Sequence, residues 1–214
     1  METKFTEQES LAVISQMIEQ AKNNLRKGGG NGLIFAGISV AFTAILNAIL
    51  IFVFIKKGIN TDLSMLAWCL MIPGSYIIFL IGKKEERKST VKTHIDSIIG
   101  SSWKAYLYAV LVLLAVFFSS LFSQKVYGIF YLITPVILIM VGQAEYVTAK
   151  ACRFKPYLYG AISMWLGALA CIGTMWVKEP YPPVIIQFLI FAVCMITGFV
   201  IPGYQLNKLA DKDV

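Results

Sequence analysis

The sequence predicts an all-α membrane protein with six transmembrane helices. The 214-residue chain is 57% hydrophobic, only 14% of its residues are charged, and its mean hydropathy is +0.71. Soluble domains usually contain about 45–50% apolar and about 25% charged residues. The apolar excess falls into six runs of 20 to 24 residues, each long enough to cross a hydrocarbon core of about 30 Å as a helix. This pattern excludes a soluble enzyme, a secreted disulfide scaffold and a nucleic-acid-binding domain.

The predicted spans divide the chain into three parts. Residues 1–31 form a polar N-terminal segment, residues 32–204 the six-span domain, and residues 205–214 a polar tail. We expect the first span to be retained as an anchor, because residues 1–31 lack the apolar stretch of a signal peptide. The six spans are predicted at 32–55, 63–82, 103–122, 127–146, 156–176 and 184–204.

Basic residues are distributed unevenly between the two ends of the predicted bundle. One end carries 15 Lys and Arg residues, whereas the other carries only Lys56, Lys57, Lys125 and Lys178. Because basic residues are retained on the cytoplasmic side of a membrane, both termini are expected to be cytoplasmic.

The spans also show signs of a repeated unit. Lys104-Ala-Tyr-Leu-Tyr-Ala opens the third span and Lys155-Pro-Tyr-Leu-Tyr-Gly opens the fifth, and each even-numbered span contains a proline (Pro73, Pro135 and Pro202). Three helical hairpins derived from one unit would produce this pattern. Lys and Tyr also recur at membrane interfaces for independent physical reasons, so both interpretations stay open.

A polar stripe follows one face of the first span. Ser39, Thr43 and Asn47 are each four residues apart, which places them on one side of a helix. These groups need partners in hydrocarbon, so we expect the stripe to face the bundle. Gln187 lies at a similar depth in the sixth span, where the two carboxamides could line a small polar cavity. Hydrogen bonding between helices without any ligand is the alternative.

The middle of every predicted span is free of Asp, Glu, Lys, Arg and His, and Glu145 is the nearest of these residues to a span interior. It is predicted in the last turn of the fourth span, with Lys150 and Arg153 following it. Intramembrane ionisable residues are costly and usually functional, so Glu145 is a candidate proton or cation gate at the inner mouth. The alternative is an interface carboxylate within reach of its basic neighbours.

The fifth span carries small residues along one face, at Gly160, Ser163, Gly167 and Cys171. Small residues let neighbouring helices approach closely, so this face is a predicted packing seam. The four cysteines form no CxxC pair or His/Cys cluster, so neither a metal site nor a cofactor is expected. No nucleophile–base set appears, and the chain is therefore predicted not to be an enzyme.

Residues 7–27 are predicted to form a cytoplasmic amphipathic helix. Thr6-Glu-Gln-Glu9 fits a capping box, and the glycines at 28–30 would act as a hinge. The charges of residues 7–27 balance, whereas helices that lie on anionic lipid are strongly basic. Docking onto protein is therefore favoured over docking onto lipid, and the protein's own bundle and connectors, a second copy and a cytosolic partner are all open as the docking surface. The apolar residues of the predicted docking face are Leu11, Ile14, Ile18, Ala21 and Leu25.

Two segments resemble a known group of proteins. Glu9-Ser-Leu-Ala-Val-Ile-Ser-Gln-Met-Ile-Glu-Gln-Ala-Lys22 resembles the start of uncharacterised six-span membrane proteins of Bacteroidota, and Val91-Lys-Thr-His-Ile-Asp-Ser-Ile-Ile-Gly100 is similar to their central connector. The resemblance implies a bacterial cytoplasmic (inner) membrane location. It implies no activity or catalytic residue, because none is assigned to the group.

Two classes of function are compatible with these patterns. The favoured one is a regulatory or interaction protein that docks a cytosolic partner or a second copy through its N-terminal helix. The alternative is a small permease or channel for a neutral or weakly polar solute. The lack of charge at the middle of the predicted spans weighs against an ion-coupled transporter. The lipid bilayer is the other expected partner, and the protein is not expected to bind nucleic acid.

Overall fold

The computed structural model describes residues 29–86, 94–123, 130–177 and 181–210, together with Val13 and Ser15. The predicted docking face on residues 7–27 lies outside the described residues. No strand occurs in the described ranges. Their α-helices are α1 (Gly29–Lys57), α2 (Met71–Glu86), α3 (His94–Ser123), α4 (Phe130–Cys152), α5 (Lys155–Thr174), α6 (Tyr181–Met195) and α7 (Ile201–Ala210). A 3₁₀-helix (Thr61–Leu70) leads directly into α2, and a π-helical segment (Ile196–Val200) joins α6 to α7.

Six stretches of the described helices are long and apolar enough to cross a membrane. Large apolar side chains cover their outside; for example, 72% of Ile72, 65% of Leu66 and 64% of Val112 is exposed. Such a surface is unsuited to water and suits lipid. The predictions of an all-α fold and of six helices long and apolar enough to span a membrane are therefore confirmed for the described residues. The six stretches are Gly30–Lys57, Thr61–Lys84, His94–Phe117, Tyr131–Cys152, Lys155–Thr174 and Pro182–Leu209.

The core of the bundle lies between α1, α4, α5 and α6. α1 packs against α6, the π-helical segment and α7, while α5 packs against α4 and α6. Ala44, Leu138, Met164 and Cys171 are fully buried at these contacts. α2 and α3 are peripheral, since α2 packs on α1 and α3 packs on α4. The apolar stretch of α3 has no buried residue, so most of its surface is available to lipid.

α1 begins inside the segment 28–31, which the sequence predicted to be a hinge. Gly30 is buried, and a methyl group added to it would collide with the Gly203 carbonyl and the Asn207 side chain. Asn207 Nδ2 also donates to Asn31 Oδ1 at 2.8 Å. Residues 29–31 therefore join α1 to α7 by close packing, because glycine permits a backbone approach that a side chain would block.

α4 extends further than the predicted fourth span, which ended at residue 146. The helix continues to Cys152, seven residues beyond Glu145, or about 10 Å at 1.5 Å per residue. Glu145 therefore lies about two turns inside the helix and not in its last turn. Similarly, α3 begins at His94, so part of the connector predicted between the second and third spans is helical and continuous with the span.

Pro202 accounts for the π-helical segment. Proline has no N–H, and its ring crowds the carbonyl of the residue four positions earlier, here Gly198. The chain adapts by a wider turn, in which Ile201 N–H donates to the Ile196 carbonyl five residues back. Single π-helical turns occur frequently at functional sites. In this protein the turn places Gly198 against α5.

Candidate functional site

Glu145 forms the centre of the candidate site. Its side chain is 0% exposed, and neither carboxyl oxygen has a hydrogen-bond partner in the described part of the chain. Leaving a buried polar group unsatisfied costs about 1–3 kcal/mol. A carboxyl group retained under these conditions needs an explanation other than stability.

Two glycines create the space that the carboxyl group occupies. A methyl group added to Gly160 on α5 would lie 2.9 Å from Glu145 Oε2 and 3.0 Å from Gly198 Cα. A methyl group added to Gly198 would lie 2.9 Å from Glu145 Oε1 and would collide with Met164 Cε. The carboxyl group is thus enclosed by two glycine backbones and a thioether side chain, where three helical segments meet.

The basic residues that the sequence placed beside Glu145 have other environments. Lys150 Nζ lies over the Tyr146 ring, 5.3 Å from its centroid. Arg153 is exposed in the turn between α4 and α5, where its backbone has a φ of 52°. Neither residue hydrogen-bonds to Glu145. The predicted inner-mouth carboxylate is therefore an interior group, separated from the helix end by about two turns.

A pair of hydroxyl groups lies on the same helical segments as the glycine contact, with Ser163 three residues after Gly160 and Thr197 directly before Gly198. Ser163 Oγ and Thr197 Oγ1 are 2.9 Å apart. Each hydroxyl also reaches a carbonyl of its own helix, at 2.7 Å for Gly160 and 3.1 Å for Val193. A hydroxyl has one proton to donate, so the pair can exchange donor and acceptor roles. It is a reorientable hydrogen-bond link between α5 and the π-helical segment.

The predicted packing seam lies between α5 and α6. Gly160, Gly167 and Cys171 are buried and Ser163 is half-buried. A methyl group added to Gly167 would collide with Cys194 Sγ, which itself lies 3.5 Å from the Ser163 carbonyl. The seam therefore runs along the Glu145 pocket and continues past it into the bundle.

The polar stripe of α1 contacts the 3₁₀-helix and α2. Ser39 Oγ donates to a carbonyl of its own helix at 3.0 Å, and Thr43 Oγ1 lies 3.7 Å from Met71 Sδ. Asn47 is completely buried. In the carboxamide orientation that satisfies both ends, its nitrogen donates to Ser64 Oγ at 2.8 Å and its oxygen accepts from Trp68 Nε1 at 2.7 Å.

Gln187 has partners on a different helix. Its Nε2 donates to Thr174 Oγ1 at 3.0 Å and to the Cys171 carbonyl at 3.3 Å, both on α5. The hydrogen bonds of Asn47 and Gln187 therefore link separate pairs of helices. These separate partners do not support the predicted cavity lined by both carboxamides. They favour the alternative, in which each carboxamide forms hydrogen bonds between helices without a ligand.

Sequence reasoning missed the residues that complete the Glu145 pocket. Gly198 and Met164 lie 53 and 19 residues from Glu145 along the chain, and no local pattern connects them. One signal was present, because Pro202 follows Gly198 by four residues and disturbs the helix at that point. The other missed groups are the partners of the polar side chains, Ser64, Trp68, Thr174 and Thr197.

No cluster of three or more His, Cys, Asp or Glu residues that could hold a metal ion occurs in the described ranges. The site offers one enclosed carboxyl group, and the Ser163–Thr197 hydroxyl pair lies on the same helical segments as the two glycines that contact it. Comparison of the chain with protein-family models, with curated proteins and with solved structures finds no match.

Proposed function

We propose that the protein is a small proton-dependent permease, in which Glu145 takes up and releases a proton while a weakly polar solute crosses the membrane. The observation that carries this proposal is the enclosed carboxyl group of Glu145, which has no hydrogen-bond partner among the residues that the structure describes. Ionisable residues inside membrane proteins commonly belong to proton relays and to substrate or ion pathways. The proposal involves no enzymatic reaction and no cofactor.

A proton suits the surroundings of Glu145 better than a metal cation does. A cation such as Ca²⁺ is held by six to eight oxygen ligands. The Glu145 oxygens have no hydrogen-bond partner among the described residues, and the glycines Gly160 and Gly198 that lie against them offer no side-chain ligand. A single carboxyl group exchanges a proton without further ligands, so the chemistry of this pocket favours proton binding.

Proton exchange requires a path from the enclosed carboxyl group to water. Two features support local opening at this point: the glycine contact between α5 and the π-helical segment, and the irregular hydrogen bonding before Pro202. Glu145 is the one carboxyl group on the described residues of α4, α5, α6 and the π-helical segment, where the other ionisable side chains are those of Lys, Tyr and Cys. Lys150 is exposed and lies over the Tyr146 ring, so the completely buried Glu145 is the main candidate for the exchanging group.

The proposed setting is a bacterial inner membrane with both termini in the cytoplasm. The 15-to-4 asymmetry of basic residues supports this orientation. Contacts between α1 and α2, between α3 and α4, and between α5 and α6 support an arrangement of three helical hairpins. The resemblance to membrane proteins of Bacteroidota supports the bacterial source.

A pH titration by infrared difference spectroscopy tests the proposed proton site without knowledge of the solute. We expect purified protein in lipid to show a carboxyl C=O band that titrates and that is absent from the Glu145→Gln variant. Asp62→Asn is the matched control, because Asp62 is an exposed carboxylate near the start of the second span. A Glu145→Gln spectrum identical to that of the wild type would contradict the proposal.

Transport itself is tested in proteoliposomes that contain a pH-sensitive dye. A panel of small neutral and weakly polar solutes is added under an imposed pH gradient. We expect at least one solute to change proton flux in wild-type and Asp62→Asn vesicles, and not in Glu145→Gln vesicles. Solute entry that is independent of the pH gradient in all three would indicate a channel and not a proton-dependent permease.

The second candidate function is docking of a cytosolic protein or a second copy through residues 7–27. It rests on the amphipathic pattern and balanced charge of that segment. The test is the double substitution Leu11→Asp and Ile18→Asp, with Glu7→Gln and Glu19→Gln as a control on the polar side. We expect only the first pair to abolish co-purification of a partner from native membranes or self-association. If both properties and bundle stability remain unchanged, the docking proposal is wrong.

A further inference from the structure

A cavity of about 380 Å³ lies where α4 turns into α5, facing the last turns of α7. We propose that this cavity binds the headgroup of an anionic phospholipid, of the phosphatidylglycerol class. The cavity is separate from the Glu145 pocket, and the proposal does not depend on proton transport. It is lined by Phe154, Lys155, Pro156, Gln205, Lys208 and Leu209.

The charge of the cavity favours an anion. Two of its six lining residues are lysines, one is a carboxamide, and none is acidic. Lys155 and Lys208 come from different helices and are both exposed, so their ammonium groups are free to converge on a ligand between α5 and α7. Gln205 adds a hydrogen-bond donor that a phosphate or glycerol oxygen can accept.

The position of the cavity favours a lipid as the source of that anion. Lys155 is the first residue of the fifth membrane-spanning stretch, and Leu209 is the last residue of the sixth. The cavity is therefore at the level where the apolar band ends and headgroups begin. Basic pockets between transmembrane helices at this level are recurrent binding sites for anionic headgroups.

The apolar half of the cavity distinguishes a lipid from a free phosphate. Phe154, Pro156 and Leu209 line it beside the charged residues, and the Phe154 ring is held against the Tyr157 ring with centroids 5.3 Å apart. An inorganic phosphate would use only the charged half. A phospholipid would use both halves, because its glycerol and upper acyl carbons follow directly from the headgroup.

Native mass spectrometry of the full chain in detergent tests the proposal. The protein is titrated with phosphatidylglycerol and with phosphatidylcholine of identical acyl chains. One lysine near an anionic lipid surface contributes about fivefold in affinity, so Lys155→Ala with Lys208→Ala should weaken phosphatidylglycerol binding about 25-fold. Phosphatidylcholine binding should be unaffected. The matched control is Lys56→Ala with Lys57→Ala, at the opposite end of the bundle.

A charge-preserving variant and a competition experiment distinguish the possible causes of a loss of lipid binding. Lys155→Arg with Lys208→Arg preserves the charge and should retain phosphatidylglycerol binding, which separates loss of charge from loss of fold. Inorganic phosphate is added as a competitor. Complete displacement of the lipid by phosphate would identify a free-anion site and overturn the lipid proposal. Equal binding of the two lipids, or an equal loss in the control pair, would overturn it as well.

Discussion

Glu145 and Gly198 are in direct contact across the junction of α4 with the π-helical segment. A methyl group at Gly198 would lie 2.9 Å from one carboxyl oxygen and 3.2 Å from the other. The carboxyl group and the Met164 methyl group therefore leave too little room for a side chain at this position. Its enclosure depends on glycine at this position and on the wide helical turn that precedes Pro202.

Gly198→Ala should destabilise the protein. The added methyl group would collide with Met164 Cε and press on Glu145, and overpacking of this kind costs about 1–3 kcal/mol. Gly173→Ala is the control, because a methyl group there meets no atom within 4 Å. Thermal unfolding in one detergent should show a lower midpoint for Gly198→Ala alone. Equal unfolding midpoints for Gly198→Ala and Gly173→Ala would mean that α5 and the π-helical segment are not closely packed at Gly198.

Asn47→Leu should destabilise the contact between α1 and the 3₁₀-helix. It removes the hydrogen bonds to Ser64 and Trp68, and such bonds in membranes contribute about 0.6–2 kcal/mol. Trp68→Phe removes the indole N–H that donates to Asn47, so it breaks one of the same hydrogen bonds. The double variant should therefore lose less stability than the two single variants together.

The control for this cycle is Ser101→Ala on α3, whose exposed hydroxyl bonds only to its own helix. It should change the unfolding midpoint little. Strict additivity of Asn47→Leu and Trp68→Phe would show that the two side chains do not interact.

Hydropathy was sufficient to predict six long apolar helices, but the predicted fourth span ends six residues before its helix does. The apolar run stops near residue 146 because Glu145, Thr148 and Lys150 lower the local hydropathy, whereas the backbone stays helical to Cys152. Hydropathy reports side-chain polarity, and a helix continues for as long as its backbone hydrogen bonds do. The distance of Glu145 from the end of its helix was therefore underestimated.

The helix face on which a polar side chain lies was easier to predict from the sequence than the residues that the side chain contacts. Four-residue spacing suffices to place Thr43 and Asn47 on one helix face, and both are buried. Their partners depend on which helix packs on that face, and no local pattern encodes this. The same limit applies to Gly160 and Gly198, which meet only because α5 and the π-helical segment cross at those residues.

The topology makes a further prediction. Reporter fusions after Lys57, Lys125 and Lys178 should be external, and fusions after Arg87 and Lys212 should be cytoplasmic, because basic residues concentrate on the second side. Paired reporters that are active on opposite sides of the membrane check each position independently. A reversed pattern would move the Lys155 and Lys208 cavity to the outer leaflet.

Replacing the Glu145 carboxyl group by an apolar side chain should stabilise the protein while removing its proton exchange. Glu145→Met has a similar length and removes a buried polar group without a partner, so the free energy of unfolding should rise by about 1–3 kcal/mol. Glu145→Gln keeps a polar group in the pocket and should gain less.

Gln143→Met is the control, because Gln143 is exposed on the same helix, and exposed substitutions usually stay within about 0.5 kcal/mol. Retention of a destabilising carboxyl group is expected where function, and not stability, requires it. A lower unfolding midpoint for Glu145→Met would show instead that the carboxyl group holds a stabilising partner, such as water or a cation, in the native bundle.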